Sequence, residues 1–284
     1  MGKMNALIIH GGAPTAVMNA SLYGAVCAAR KSGEFAHFYA ALGGSGAVLR
    51  ETFFDLMTAP EAELELLLST PASAIGTSRD MLSVQDYAQI AKVLAKHHID
   101  CVFFTGGNGS MDACGKVYRA CADIGATVKV IGIPKTIDND ISVTDHAPGY
   151  GSAARYLAAT VSEISQDVRA LPIHVCIVEA MGRNCGWIAA ASALARSKNG
   201  DGPDLIYMPE RPFDEEAFLA RVQQLPLLAA KGQVIDLFFH FGVAQPVYKV
   251  CLGVKIHQYT ADIKNNAFIH KYCLACIGCF PDIF

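Results

Sequence analysis

The sequence has no apolar run approaching the ~18 residues that a membrane span needs. It also lacks an excess of either charge: 23 Lys and Arg stand against 26 Asp and Glu, a net charge of −3. That balance leaves no basic footprint for nucleic acid and no polybasic patch for a lipid surface. An anionic ligand must therefore be held by a few local donors. Charged residues make up only 17% of the chain against 52% hydrophobic ones, which excludes a disordered polymer. There is no internal repeat and no low-complexity segment. The opening text, MGKMNALIIHGG, lacks the long apolar region and small-residue cleavage site of a secretory signal. The expectation is a cytoplasmic protein.

What is present is a globular chain of 284 residues, enough for two domains at a prior of ~150 residues each. Cysteine is abundant, at ten residues. Most stand singly in apolar or helical text (Cys27, Cys101, Cys114, Cys121, Cys176, Cys185), as small buried hydrophobes do in a reducing compartment.

Up to about residue 232 short apolar runs alternate with amphipathic stretches. Strands are expected at Asn5–His10, Phe38–Leu42, Asp100–Phe104, Val128–Ile133, His174–Val178 and Leu205–Met208. Helices are expected at Ala16–Lys31, Val84–His97, Met111–Ile124, Ala153–Val168 and Gly186–Arg196. Gly33 and Gly125 close two of those helices. Strands that end in glycine or proline and alternate with helices specify parallel α/β layers. In such sheets ligands gather at the carboxyl ends of the strands.

Four motifs sit at those ends. HGGAPTAVMN, from His10, places Gly11 and Gly12 between a strand and a helix, where backbone can approach an anion and a helix N-terminus attracts it. FFTGGNGS repeats the arrangement with Gly107, Asn108, Gly109 and Ser110, across which a magnesium-bridged polyphosphate could lie. An ordinary tight turn gives either text equally well. GIPKTIDND is denser: Lys135, Thr136, Ile137, Asp138 and Asp140 follow a strand that stops at Pro134. Charge clustered at a strand end suits chemistry better than packing. Asp138 could accept a proton from an attacking alcohol, Lys135 could neutralise developing charge, and Asp140 could help hold a magnesium-bound phosphate. EAMGRNCGWIA supplies Met181, Gly182 and Arg183, the last able to fork onto a phosphate. Arg79, in GTSRD, is a further phosphate partner or simply a surface arginine. His97 and His98 close a helix, and Glu61, Glu63 and Glu65 read as a solvated stretch without a metal face.

Taken in this order, GGNGS, PKTIDND and MGRNCGW resemble the phosphofructokinase family, with PGYGSAARY and PDLIYMPE also similar to its text. The resemblance runs from about residue 5 to residue 210. It implies two Rossmann-like three-layer lobes with mainly parallel sheets and an active site in the cleft between them. The expected division is a phosphoryl-donor lobe over 1–137, a sugar-phosphate lobe over 138–232 and an atypical tail over 233–284. The implied reaction carries a phosphoryl group from ATP or pyrophosphate to the 1-hydroxyl of fructose 6-phosphate, with Mg²⁺ as cofactor. Asp138 is cast as the base, assisted by Lys135 and Arg183. The sugar-phosphate contacts are Thr136, Ile137, Asp138, Met181, Gly182 and Arg183. The donor contacts are Gly11, Gly12, Arg79, Gly107, Asn108, Gly109 and Ser110, and the metal contacts Asn108 and Asp140. Gly109 resembles the ATP users, leaving room for an α-phosphate. Lys135 resembles the pyrophosphate users, although some ATP users carry it too. The steric argument tips the reading toward ATP, while HGGAPTAVMN and PGYGSAAR look more like the pyrophosphate branch.

Two departures bear on this. His174 stands where short bacterial members have an arginine that reaches a neighbouring subunit. From Gln233 the periodicity becomes poor, and the family's later glutamate–glycine strand and arginine-bearing stretch are not legible, as after a frameshift. Shared sugar sites in a dimer or tetramer are implied only for an intact end. Cys273, Cys276 and Cys279, spaced C-x2-C-x2-C in that tail, lack the surroundings of an iron–sulfur or zinc site. Two other functions compete: a catalytically silent fragment that keeps the donor loops, and a lipid or dinucleotide kinase with a similar glycine loop.

Overall fold

The computed structural model describes residues 2–170, 175–182, 184–196, 202–221, 236–240 and 269–273. They fall into two compact units, and the chain passes from the first to the second between Thr136 and Ile137.

The first unit is built on a five-stranded sheet. Its elements are β1 (Met4–His10), α1 (Ala16–Ser32), β2 (Phe35–Ala41), α2 (Ser45–Leu49), β3 (Phe53–Asp55), α3 (Glu61–Glu65), α4 (Val84–Lys96), β4 (Cys101–Gly106), α5 (Asn108–Asp123) and β5 (Lys129–Pro134). The strand order is β3-β2-β1-β4-β5, parallel throughout except for β3, which runs antiparallel to β2. Alternate residues of the central strands enter opposite cores. Leu7, Ile9, Val102 and Phe104 pack on Ile90, Leu94 and Val117, and Ala6, Ile8 and Phe38 pack on Leu22 and Val26. Each large apolar side chain so buried contributes about 1.5–3 kcal/mol, which is why NALIIH and DCVFF read as fully covered strands.

The helix ends have identifiable stops. Gly33 takes a left-handed φ of 66° and donates its N–H to Arg30 O at 3.3 Å, closing α1. Ser83 and Asp86 form a reciprocal capping box at the start of α4. Helix α5 begins at Asn108, earlier than the Met111 expected from the sequence, because Gly107 serves as its N-cap. Asn108, Gly109 and Ser110 are therefore its first turn rather than a loop. Strand β3 carries no readable period at three residues and was not expected. Glu61, Glu63 and Glu65 belong to α3, two of them in its first turn, where acidic residues suit the helix dipole.

The second unit contains α6 (Tyr150–Ala170), β6 (Val175–Ala180), α7 (Trp187–Ala191), β7 (Leu205–Tyr207), β8 (Asp236–His240) and β9 (Ile269–Cys273). Its sheet runs β7-β8-β6-β9, all parallel. Leu157, Val161 and Ile164 of α6 share a core with Ile137, Val178, Ala180 and Ile188. The helix expected over Gly186–Arg196 is α7 followed by a tight 3-10 turn, Ser192–Ala195. β8 and β9 come from the segment set apart by its composition. The hydrophobic periodicity of that segment is poor, so the text gives little cue to them. Among the described residues no helix is long and apolar enough to cross a membrane.

Candidate active site

In the first unit the strand register brings three of the motifs to one edge. His10 pairs with Thr105, and Gly106 with Pro134, so β1, β4 and β5 end side by side. Gly11 N–H donates to Thr105 O at 2.8 Å, and Lys135 N–H to Gly106 O at 2.9 Å. Gly12 has φ +81°, open to glycine at no cost, and turns the chain toward α1. Both α1 and α5 start at this edge, so two positive helix ends face the region where Gly11, Gly12, Gly107, Asn108 and Gly109 lie.

Two of these glycines are required by close approach. A Cβ on Gly11 would lie 2.4 Å from Ser110 Oγ, and one on Gly106 would lie 2.2 Å from the same oxygen and 2.6 Å from Gly11 O. Ser110 is thus packed into the junction of β1, β4 and α5. A Cβ on Gly109, by contrast, meets nothing within 4 Å. Asn108 and Gly109 are exposed.

The Arg79 segment joins the same edge. Gly12 N–H donates to Ser78 O at 2.9 Å, and Thr77 Oγ1 donates to Gly12 O at 2.8 Å. Arg79 itself is exposed. Lys135 is buried, and its ammonium donates to Ala13 O in the Gly12–Thr15 turn. Its charge is felt at His10. That imidazole is pushed down to about 4, first by burial and then by Lys135.

In the second unit the Asp138 segment comes near Met181 and the turn at Cys185–Gly186. Ile137 is part of the buried core, and Met181 packs against that core. Asp138 is half-buried and Asp140 exposed. The Cys185 thiol is pushed up, first by its own burial, with Glu210, Asp138 and Asp140 as weaker contributors. Gly182 has φ +128°. Gly186 N–H donates to Glu210 Oε1 at 2.7 Å, which ties the turn to the residues after β7. Arg183 and His174 lie outside the described residues, as do Cys276 and Cys279. Sequence reasoning missed His10, Asn139 and Glu210. Their signal was a polar residue in an otherwise apolar or turn context, which composition alone does not rank.

The phosphofructokinase model matches residues 5–237. The chain belongs to the phosphofructokinase family. Among its relatives is a pyrophosphate–fructose 6-phosphate 1-phosphotransferase of Rhodospirillum rubrum, 40% identical over 226 residues, covering 79% of this chain and 55% of that protein. A protein of the same name from Methylococcus capsulatus is 35% identical over 304 residues, covering 95% of this chain and 72% of the relative. The crystal structure of the pyrophosphate-dependent phosphofructokinase of Marinobacter aquaeolei superposes with a TM-score of 0.80 at 32% identity, covering 96% of this chain and 69% of that one. The chain thus spans about half the length of the Rhodospirillum phosphofructokinase, at 55%.

Proposed function

We propose that the chain performs phosphoryl transfer from pyrophosphate to the 1-hydroxyl of fructose 6-phosphate, giving fructose 1,6-bisphosphate and phosphate. The observation that carries this reading is the meeting of Gly11–Gly12, the start of α5 and buried Lys135 at one sheet edge. Glycine backbone and helix N-termini cradle phosphate oxygens, and a lysine adds a fixed positive charge. The names of the relatives supply the donor and acceptor.

The chemical step is in-line. The sugar oxygen bonds to the terminal phosphorus as the bridging P–O bond breaks, Asp138 takes the hydroxyl proton, and phosphate leaves. Lys135 stabilises charge building between donor and acceptor. Thr136, Ile137, Met181, Gly182 and Arg183 form the sugar-phosphate contacts. Gly107, Asn108, Ser110 and Arg79 complete the donor side.

Magnesium fits the donor set. Among the described residues no group of three or more His, Cys, Asp or Glu side chains is placed to hold a metal. Asp140 is an exposed carboxylate and Asn108 an exposed amide, which suits an ion held mostly by phosphate oxygens and water with one or two protein ligands. When bound, Mg²⁺ supplies charge neutralisation on the donor.

A second donor reading is favoured by Gly109. The open space around it leaves room for the α-phosphate of ATP. The deciding experiment is a turnover assay of the purified chain with fructose 6-phosphate, Mg²⁺ and either donor. Product with pyrophosphate supports the proposal, and product with ATP alone supports the second reading. No product with either marks a silent donor-binding fragment. Asp138→Ser is expected to reduce turnover far more than donor affinity, and equal loss of both would make Asp138 structural.

A further inference from the structure

Asn139 stands between the two carboxylates of the IDND turn in an unusual state. Its backbone has φ +58°, in the left-handed region that side chains other than asparagine and aspartate rarely enter. Unlike its neighbours Asp138 and Asp140, it is buried. Its amide is used in both directions. Nδ2 donates to Asp145 O at 3.1 Å, and Oδ1 accepts from Ala147 N–H at 2.7 Å. Ala147 is fully buried and in turn accepts from Tyr150 N–H at 3.1 Å, at the first residue of α6. Ile137, two residues before Asn139 and adjacent to Asp138, is buried in the core that α6 forms.

The Asp138 turn is therefore hung at two points, by Ile137 in the core and by Asn139 on the lead-in to α6. A left-handed residue persists only where its surroundings over-determine it, and here two hydrogen bonds to one side chain do so. Without them the backbone relaxes toward commoner conformations and swings the flanking carboxylates. A proton acceptor displaced by about 1 Å loses on the order of 100-fold in rate.

We infer that Asn139 is a positioning residue for phosphoryl transfer, fixing Asp138 for proton removal through its bonds to Asp145 and Ala147. The inference rests on the reading of Asp138 as the base. It differs from that reading in assigning a role to a residue that touches neither substrate.

Three variants separate the contributions. Asn139→Ala removes both bonds and disfavours the backbone state. Asn139→Gly keeps the backbone state and removes both bonds. Asn139→Asp keeps the backbone state and the acceptor for Ala147 N–H. The expected result is a kcat loss of about 100-fold in N139A, a smaller loss in N139G and the smallest in N139D, with the donor KM moving less than about threefold throughout. Hydrogen–deuterium exchange of the Ala147 amide is read in parallel, expected slow in the wild type and N139D and fast in N139A and N139G. The inference is overturned if N139A keeps kcat within about threefold of wild type, if donor KM rises as far as kcat falls, if N139D loses as much as N139A, or if Ala147 exchanges slowly in every variant. A wild-type chain that turns over neither donor overturns the phosphoryl-transfer reading and this inference with it. A wild-type chain that turns over and is unaffected by N139A overturns the inference alone.

Discussion

His10 Nδ1 lies 2.8 Å from the hydroxyl oxygen of Ser73, across 63 residues of sequence. The Ser73 hydroxyl donates its single proton to Gly76 O at 2.8 Å. It can therefore only accept from His10, which assigns the imidazole proton to Nδ1 and leaves Nε2 bare. Nε2 is buried without a hydrogen-bond partner among the described residues, so the ring sits neutral inside the protein. Asn19, the other end of the same motif, holds the adjoining backbone with bonds of 2.8 Å to Thr70 O and from Ala74 N–H. HGGAPTAVMN thus clamps the segment leading to Arg79 as well as forming the turn beside it.

The buried neutral ring makes stability depend on pH. In the unfolded chain histidine titrates near 6.5, whereas folded His10 titrates at about 4. Between those values the unfolded state binds the extra proton, so stability falls as pH drops from 6.5 toward 4 and flattens below. The full effect is about 3 kcal/mol. His10→Asn, which keeps a donor toward Ser73, is expected to lose this slope. Urea unfolding at pH 7, 5.5 and 4.5 measures it, and parallel curves for both proteins would refute the assignment.

Steric crowding at Ser110 predicts an asymmetric rescue. Gly11→Ala and Gly106→Ala each push a methyl against the Ser110 side chain, at a cost of about 1–3 kcal/mol. Removing the hydroxyl with Ser110→Ala relieves the Gly11 variant, whose next neighbours lie at 3.3 Å and 3.5 Å. It does not relieve the Gly106 variant, because Gly11 O remains at 2.6 Å and the Ser110 Cβ at 2.7 Å. Thermal melts of the two double variants test the difference. Equal rescue would mean that the strand ends are looser than the packing indicates.

Much of the first unit was legible because burial on both faces writes a continuous apolar strand, and because glycine or proline stands at or just after the ends of β1, β2, β4 and β5. NALIIH and DCVFF show this directly. The candidate site stood out in the sequence where charge was placed against its ordinary preference, as in PKTIDND. What stayed hidden depends on distant partners. Nothing near His10 names Ser73 as its acceptor, and nothing near Asn139 indicates Ala147. The start of α5 was misplaced because Gly107–Ser110 has loop-like composition, and only the Gly107 cap turns it into a helix. β8 and β9 were missed because parallel pairing is non-local and the periodicity of their segment is poor.

Donor choice can be moved through Gly109. The position is exposed in the first turn of α5, and a Cβ added there has open space around it. Gly109→Asp is therefore expected to fold like the wild type. Its carboxylate would occupy space an α-phosphate needs and add like charge beside it. Any ATP-supported turnover is expected to fall by at least about 100-fold, while pyrophosphate-supported turnover falls by less than tenfold. The ratio of kcat/KM for the two donors measures this. An unchanged ratio would remove Gly109 from the donor site.

Lys135 allows function and fold to be separated in one substitution. Its side chain is buried, yet its ammonium has Ala13 O as a hydrogen-bond acceptor and lies close enough to His10 to lower that residue's titration. Lys135→Met removes the charge and nearly keeps the volume. It leaves Ala13 O short of a donor, and it also removes the desolvation cost of a buried cation, so the two effects on stability oppose each other. If Lys135 acts as proposed, turnover has no such compensation, and losing a preorganised positive group is expected to lower kcat by about 100- to 1000-fold. His10 should meanwhile titrate higher than about 4 but stay below its ordinary value, because burial is the larger cause. Histidine Cε1–H resonances followed against pH, together with kcat and the melting temperature, give three readouts from one variant. A large fall in melting temperature with turnover spared would make Lys135 a structural lysine, and an unmoved His10 titration would separate the two residues.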